Sequence, residues 1–193
     1  MTLHNFLAAG VMTLAGFSAA QAATAVVNTD GSWNQFDVSR DLAANGGVGW
    51  IDIADGSALS YQFAVANGFV GTLTVVDTGF SGDRFGVSVN GSLAQFTSAA
   101  VNSYPTALGQ ADFEQALANT DYSRGVYTLA AGSYTITGNL SASALDGDGI
   151  ALDATSGGLK VAVSAVPMPP SLLLMVSGLL GLAMQWRRRQ HGK

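Results

Sequence analysis

Between Ala23 and Ala165, the side chains left for acid–base or metal chemistry are carboxylates. The only two histidines, His4 and His191, lie near the chain ends, and there is no cysteine. That excludes Ser-His and Cys-His nucleophilic catalysis from this segment, and with them zinc or copper sites built on imidazole or thiolate. The sharpest carboxylate candidate is Asp77-Thr78-Gly79, which follows the apolar run Leu73 to Val76. A hydrophobic strand entering Asp-Thr-Gly is the pattern of aspartic proteases, whose chemistry needs two carboxylates sharing one proton. No second copy of the triplet exists; Asp153 to Gly157 is not equivalent. The triplet therefore reads better as a turn capped by Asp77, and a carboxylate-based hydrolase is the weakest of the functional alternatives.

Asp146 and Asp148, in Asp146-Gly147-Asp148-Gly149, can point two carboxylates at one cation, so a calcium site is considered there. The EF-hand pattern fails at the next positions, Ile150 and Ala151, and a solvated turn competes with it. Asp83-Arg84 is a candidate ion pair beside Gly82. The aromatics Trp33, Phe36, Trp50, Tyr61, Phe63, Phe69, Phe80, Phe85 and Phe96 either line a sugar groove or, as alternating strand positions more often do, fill a core.

The elements that must position these groups have period two. Val48–Ile53, Ala58–Val65, Gly71–Val76 and Arg84–Val89 alternate as strands do. Asn90-Gly91 is a type I′ hairpin signal joining Phe85–Val89 to Ser92–Phe96. A second hairpin is expected about Ala131-Gly132, between Val126–Leu129 and Tyr134–Thr137. Leu159–Ser164 is expected to be a last strand, and Ala111–Ala118 a short helix with Phe113 and Leu117 on one face. The class is all-β, an antiparallel β-sandwich or jelly roll. Residues 23–165 are one domain's length and carry thirteen acidic against four basic side chains, a net charge of −9. Such a surface argues against nucleic acid and anionic lipid as partners. With no disulfide framework, stability must come from a packed core.

The two ends are of another kind. Asn5 to Ala20 is apolar and small, and Ala20-Gln21-Ala22 fits the A-x-A cleavage pattern, so residues 1–22 read as a signal peptide for Sec export and signal peptidase. Its first five residues hold no Lys or Arg. At the other end stand Val166-Pro167-Met168-Pro169-Pro170, then the uncharged run 171–186, then Arg187-Arg188-Arg189. At about 1.5 Å per residue, 171–186 makes a helix of roughly 24 Å, the short end for a membrane span. The prolines suit a helix start, Trp186 an interface, and the arginines the cytoplasmic side of the inner membrane.

This combination resembles the PEP-CTERM sorting proteins of Gram-negative bacteria. Their usual box is Val-Pro-Glu-Pro. Met168 replaces the Glu here, and the tail is closer to the Val-Pro-Leu-Pro-Ala variant. The segments Leu73 to Gly91, with Ser81-Gly82-Asp83-Arg84-Phe85 at its centre, and Arg124 to Thr137 are similar to stretches common in ectodomains of that group. The resemblance implies processing of the 166–193 tail by an exosortase, and release to or anchoring at the cell surface or an exopolysaccharide matrix of the kind found in biofilms. The expectation is a non-catalytic exported surface protein with no cofactor. The alternative is a calcium-assisted carbohydrate- or exopolysaccharide-binding module.

Overall fold

The computed structural model describes residues 22–108, 112–167 and 174–175. Nine strands and one short helix follow in the order β1 (Ala23–Val26), β2 (Asp30–Ser39), β3 (Leu59–Val65), β4 (Phe69–Asp77), β5 (Arg84–Val89), β6 (Ser92–Phe96), α1 (Phe113–Ala118), β7 (Arg124–Leu129), β8 (Gly132–Ala142) and β9 (Ala154–Ala165). They form two sheets, β1-β3-β8-β5-β6 and β2-β9-β4-β7. All pairings are antiparallel except that of β1 with β3. Setting the edge strand β1 aside, two four-stranded sheets remain, and the chain passes back and forth between them in the order of an eight-stranded jelly roll. The β-sandwich expected from the sequence is present.

Alternation decides what each sheet buries. Leu73 and Val75 of β4, Leu159 and Val161 of β9, Phe85 and Val87 of β5, and Ile136 and Leu140 of β8 face one another in a single core. At its centre Phe36 stacks on Trp50 with centroids 4.0 Å apart, and Phe85 meets Phe36 edge-on at 5.1 Å. These rings need room in the sheets themselves. The Trp50 indole lies against Gly138 of β8, and the Phe36 ring against Gly157 of β9; a Cβ at either glycine would run into the ring. A smaller cluster on the outer face of β4 and β9 is roofed by α1, through Phe113, Ala116, Val76 and Tyr122. Asp112 caps the helix by accepting from Gln115 N at 3.3 Å.

Several expectations hold closely. β5 and β6 have the anticipated bounds, joined by Asn90 (φ 52°) and Gly91 (φ 80°), the pair of positive φ values that a type I′ turn requires. Others are corrected. The segments about Ala131-Gly132 do not form a hairpin, because β7 pairs with β4 in one sheet while β8 pairs with β3 and β5 in the other. The short turn is an arch between sheets. Residues 48–53 are not a strand but a loop touching the sheets through single bridges at Gly49 and Ile51. β1 and β2 were not anticipated. In β2 the polar Asn34, Gln35 and Asp37 interrupt the alternation.

Among the described residues no helix is long and apolar enough to cross a membrane. Apart from Ala22, the expected signal peptide 1–22 and, apart from Leu174 and Met175, the expected helix 171–186 lie outside the described residues, as do Arg187, Arg188 and Arg189.

The glycine seats give a direct test. Gly138→Ala should cost about 1–3 kcal/mol by overpacking against Trp50. Gly147→Ala, at a position with open space, should stay within about 0.5 kcal/mol. Urea unfolding midpoints of the two variants check the contrast.

Candidate functional site

The connections sort themselves by pole. The chain turns tightly at 27–29, 66–68, 90–91 and 130–131, all at the end of the sandwich where β9 finishes at Ala165 beside Phe69. The long connections 40–58, 78–83, 97–123 and 143–153 all lie at the opposite end. Twelve of the thirteen acidic residues sit in or beside these connections: Asp41, Asp52, Asp55, Asp83, Asp112, Glu114, Asp121, Asp146, Asp148 and Asp153 within them, Asp37 near the end of β2, and Asp77 at the end of β4.

The candidate residues of the sequence fall out as follows. Asp77 ends β4 on the same face as Leu73 and Val75, so its side chain points between the sheets, and it has no exposed surface. Its Oδ1 accepts from Gly79 N and from Thr155 Oγ1, each at 3.2 Å. Asp83 lies two residues before Phe85, on the inward face of the other sheet, and is equally buried. Its Oδ1 accepts from Ala144 N at 2.7 Å. Each carboxyl leaves its Oδ2 without a hydrogen-bond partner. Sequence reasoning looked for a partner to Asp77 as a repeat of the triplet. Asp83, six residues on, points inward from the facing sheet, and its charge acts on Asp77. Because neither residue is exposed, substrate does not reach the pair, and it lacks the access that proteolysis needs. The turn role for Asp77 is present in its bond to Gly79, whose missing side chain leaves space for Thr155.

Asp83 and Arg84 do not pair. Successive strand residues point to opposite faces, and Arg84 Nε donates outward to the Thr97 carbonyl at 2.9 Å, with its guanidinium 4.9 Å from the Phe96 ring centroid. Asp146 Oδ1 accepts from Asp148 N at 2.9 Å and Ile150 N at 2.8 Å, which accounts for it as the cap of an exposed turn. Among the described residues no group of three or more acidic or histidine side chains converges. Of the aromatics, Phe36, Trp50, Tyr61, Phe63 and Phe85 are core, and Trp33 lies under α1, stacked on Phe113. Phe69 and Phe96 are exposed, on different sheets. Ala22 and Val166 are exposed and flank the strands; Val166 N still donates to Gly68 O at 2.8 Å. Pro167 is exposed beyond it, while Ala20, Met168 and Pro169 lie outside the described residues.

Two open grooves meet at Asp37. One, of about 390 Å³, is lined by Asn34, Gln35, Asp37, Asp52 and Tyr61 among others. Gln35 Nε2 donates to both carboxyl oxygens of Asp37, at 3.3 and 3.2 Å. Burial, opposed in part by Gln35, pushes the Asp37 carboxyl above its ordinary range, with the charge of Asp52 adding to the rise. The other groove, of about 340 Å³, runs from Asp37 to Gly79 and Thr155, the two donors to Asp77. Nothing in the sequence marked the first groove, because Asn34 and Gln35 are common strand-surface residues.

Comparison with known proteins adds little to this geometry. No protein-family model matches the chain, and no curated protein matches it. The pre-peptidase C-terminal domain of a collagenase from Bacillus anthracis is similar at a TM-score of 0.38 and 11% identity, covering 76% of this chain and 99% of that one. CorA, a surface-associated copper-binding protein important in copper acquisition by Methylomicrobium album BG8, is similar at a TM-score of 0.39 and 10% identity, covering 74% and 98%. Similarity of this degree transfers no function.

The buried acids predict a pH signature. Burial, and after it the charge of Asp83, holds the Asp77 carboxyl well above the carboxylate range. Burial lifts Asp83 to about 6, opposed by the polar influence of the Thr155 hydroxyl and the bond from Ala144 N, with the charge of Asp153 adding to the rise. A carboxyl whose folded value is raised takes up a proton on folding, so its contribution is lost as pH rises from about 4 to about 6. For Asp83 the loss is roughly 3 kcal/mol, at about 1.4 kcal/mol per unit. In metal-free buffer, Asp83→Asn should therefore gain on the wild type progressively across that window, measured by urea unfolding at each pH. A stability difference that does not change with pH would refute it.

Proposed function

We propose that this chain is an exported, non-catalytic protein of the bacterial cell surface or extracellular matrix. Sec and signal peptidase deliver it, with cleavage after Ala20-Gln21-Ala22. An exosortase at the inner membrane then reads the tail from Val166 through Pro170, the apolar run 171–186 and the arginines 187–189. One observation supports this reading: β1 begins at Ala23 and β9 ends at Ala165, so the two proposed processing points fall just outside the first and last strands. β9 finishes at the pole of tight turns, so the tail begins at the end opposite the long loops.

Intact-mass measurement of the surface-exposed protein in its native host tests this. The expected mass begins at Ala23 and ends near residues 166–170. A mass that still includes Trp186 and the three arginines would leave a plain membrane anchor instead.

A second reading rests on the groove of Asn34, Gln35, Asp37 and Asp52. Its amides and carboxylates are the polar groups that hydroxyl-rich ligands use, and it opens at the pole away from the tail. On this reading the domain binds exopolysaccharide. The matrix polysaccharide of the host should then retain the wild type on an affinity column. The Asn34→Ala, Gln35→Ala double variant, which keeps Asp37 and the core, should elute at least tenfold earlier in competitor concentration.

A further inference from the structure

We propose that Asp77 and Asp83 together hold a divalent, oxygen-seeking cation, calcium by its chemistry, at the long-looped pole of the sandwich. This inference is independent of how the tail is processed. The two carboxyls project inward from facing sheets, Asp77 in line with Leu73 and Val75, Asp83 in line with Phe85 and Val87. Each has one oxygen satisfied by a neighbouring donor and one, Oδ2, with no donor, although both residues are wholly buried. Buried carboxylates without compensation are among the costliest arrangements in a protein, so something positive must meet these atoms.

No side chain of the domain does. Its four basic residues are held elsewhere: Arg40 on Asp153 at 3.1 Å, Lys160 on Glu114 at 2.6 Å, Arg84 on the Thr97 carbonyl and Arg124 on the Leu117 carbonyl, each at 2.9 Å. What remains is a proton or a metal ion. The donor chemistry favours a hard ion, since the neighbourhood offers carboxylate, hydroxyl and peptide oxygens, and the segment has no imidazole or thiol. Thr155 Oγ1, bonded to Asp77 and adjacent to Asp83, adds a third oxygen; backbone carbonyls and water complete such shells elsewhere. An open groove is lined by Gly79 and Thr155, the two groups that donate to Asp77.

The test uses the full-length chain in detergent, stripped with chelator and unfolded thermally near neutral pH with millimolar calcium or with chelator. Calcium should raise the wild-type Tm by about 5 °C or more, the scale set by an ion at a hundred times its dissociation constant acting on a domain of this size. Equilibrium dialysis should find one tightly bound calcium per chain. Asp77→Asn should lose both the shift and the ion. Asp83→Asn, which keeps an acceptor for Ala144 N, should do the same and serves if the first variant fails to fold. Asp146→Asn should retain both. A wild-type Tm that is equal in calcium and chelator means the pair is neutralised by protons alone and overturns the proposal. So does a shift that survives Asp83→Asn or disappears in Asp146→Asn.

Discussion

The structure depends on the insertion of its last strand. β9 lies between β2 and β4 along nearly its full length, so until it docks the second sheet exists only as separated pieces. What lets it dock is the pair Gly157-Gly158. The two residues face opposite sides of the sheet, and each clears space for a ring: Phe36 on the core side, Phe113 of α1 on the outside. A side chain at either position would push an aromatic out of the layer that it organises. The main core and the small α1 cluster are therefore tied to the same two residues. Pairing over this sequence distance is slow to find and closes large loops, which is the kinetic price of a jelly roll.

The same strand fixes the chemistry of the long-looped pole. Just before the glycines, Thr155 donates to Asp77 and Ser156 O receives the N–H groups of Thr78 and Gly79, at 3.0 and 3.1 Å. The loop 78–83 is thus held against β9 as it crosses between the sheets, and that crossing brings Asp83 to face Asp77. Gly82, at φ 130° and packed against Ala144, lets the loop bend back so that Asp83 reaches Ala144 N. The buried acids are not an accident of a polar loop; they are where two inward-facing strand registers end on carboxylates.

Much of the sandwich could be read from the sequence because strong alternation and turn chemistry coincide there. β5, Asn90-Gly91 and β6 satisfy both, and their bounds follow. The misses have physical causes. Ala130-Ala131-Gly132 has the local features of a hairpin turn, and only the long-range pairing of β7 with β4 and β8 with β3 sends its arms into different sheets. Trp50 made 48–53 look like a strand, yet its indole fills the core from a loop, seated on Gly138. Asp77 was visible as a residue of interest, and the importance of Asp83 was not. Asp83-Arg84 looks like an exposed ion pair until alternation assigns one side chain inward and the other outward. The pattern was available in Asp83, Phe85 and Val87, read as one face.

The position of β9 also bears on how a tail can be removed without harm. Its ladder with β4 runs to Ala165 opposite Phe69, and just beyond it Val166 N donates to Gly68 O. Val166 itself is half exposed and Pro167 has no N–H to give. Among the described residues, a cut after Pro167 leaves every strand and every core side chain in place. A cut a few residues earlier would be a different matter, since it would take Val161 and Val163 and part of the strand that closes the sheet. The proline box thus begins immediately after the last strand, so that the processing proposed for it would spare the ladder that closes the sheet.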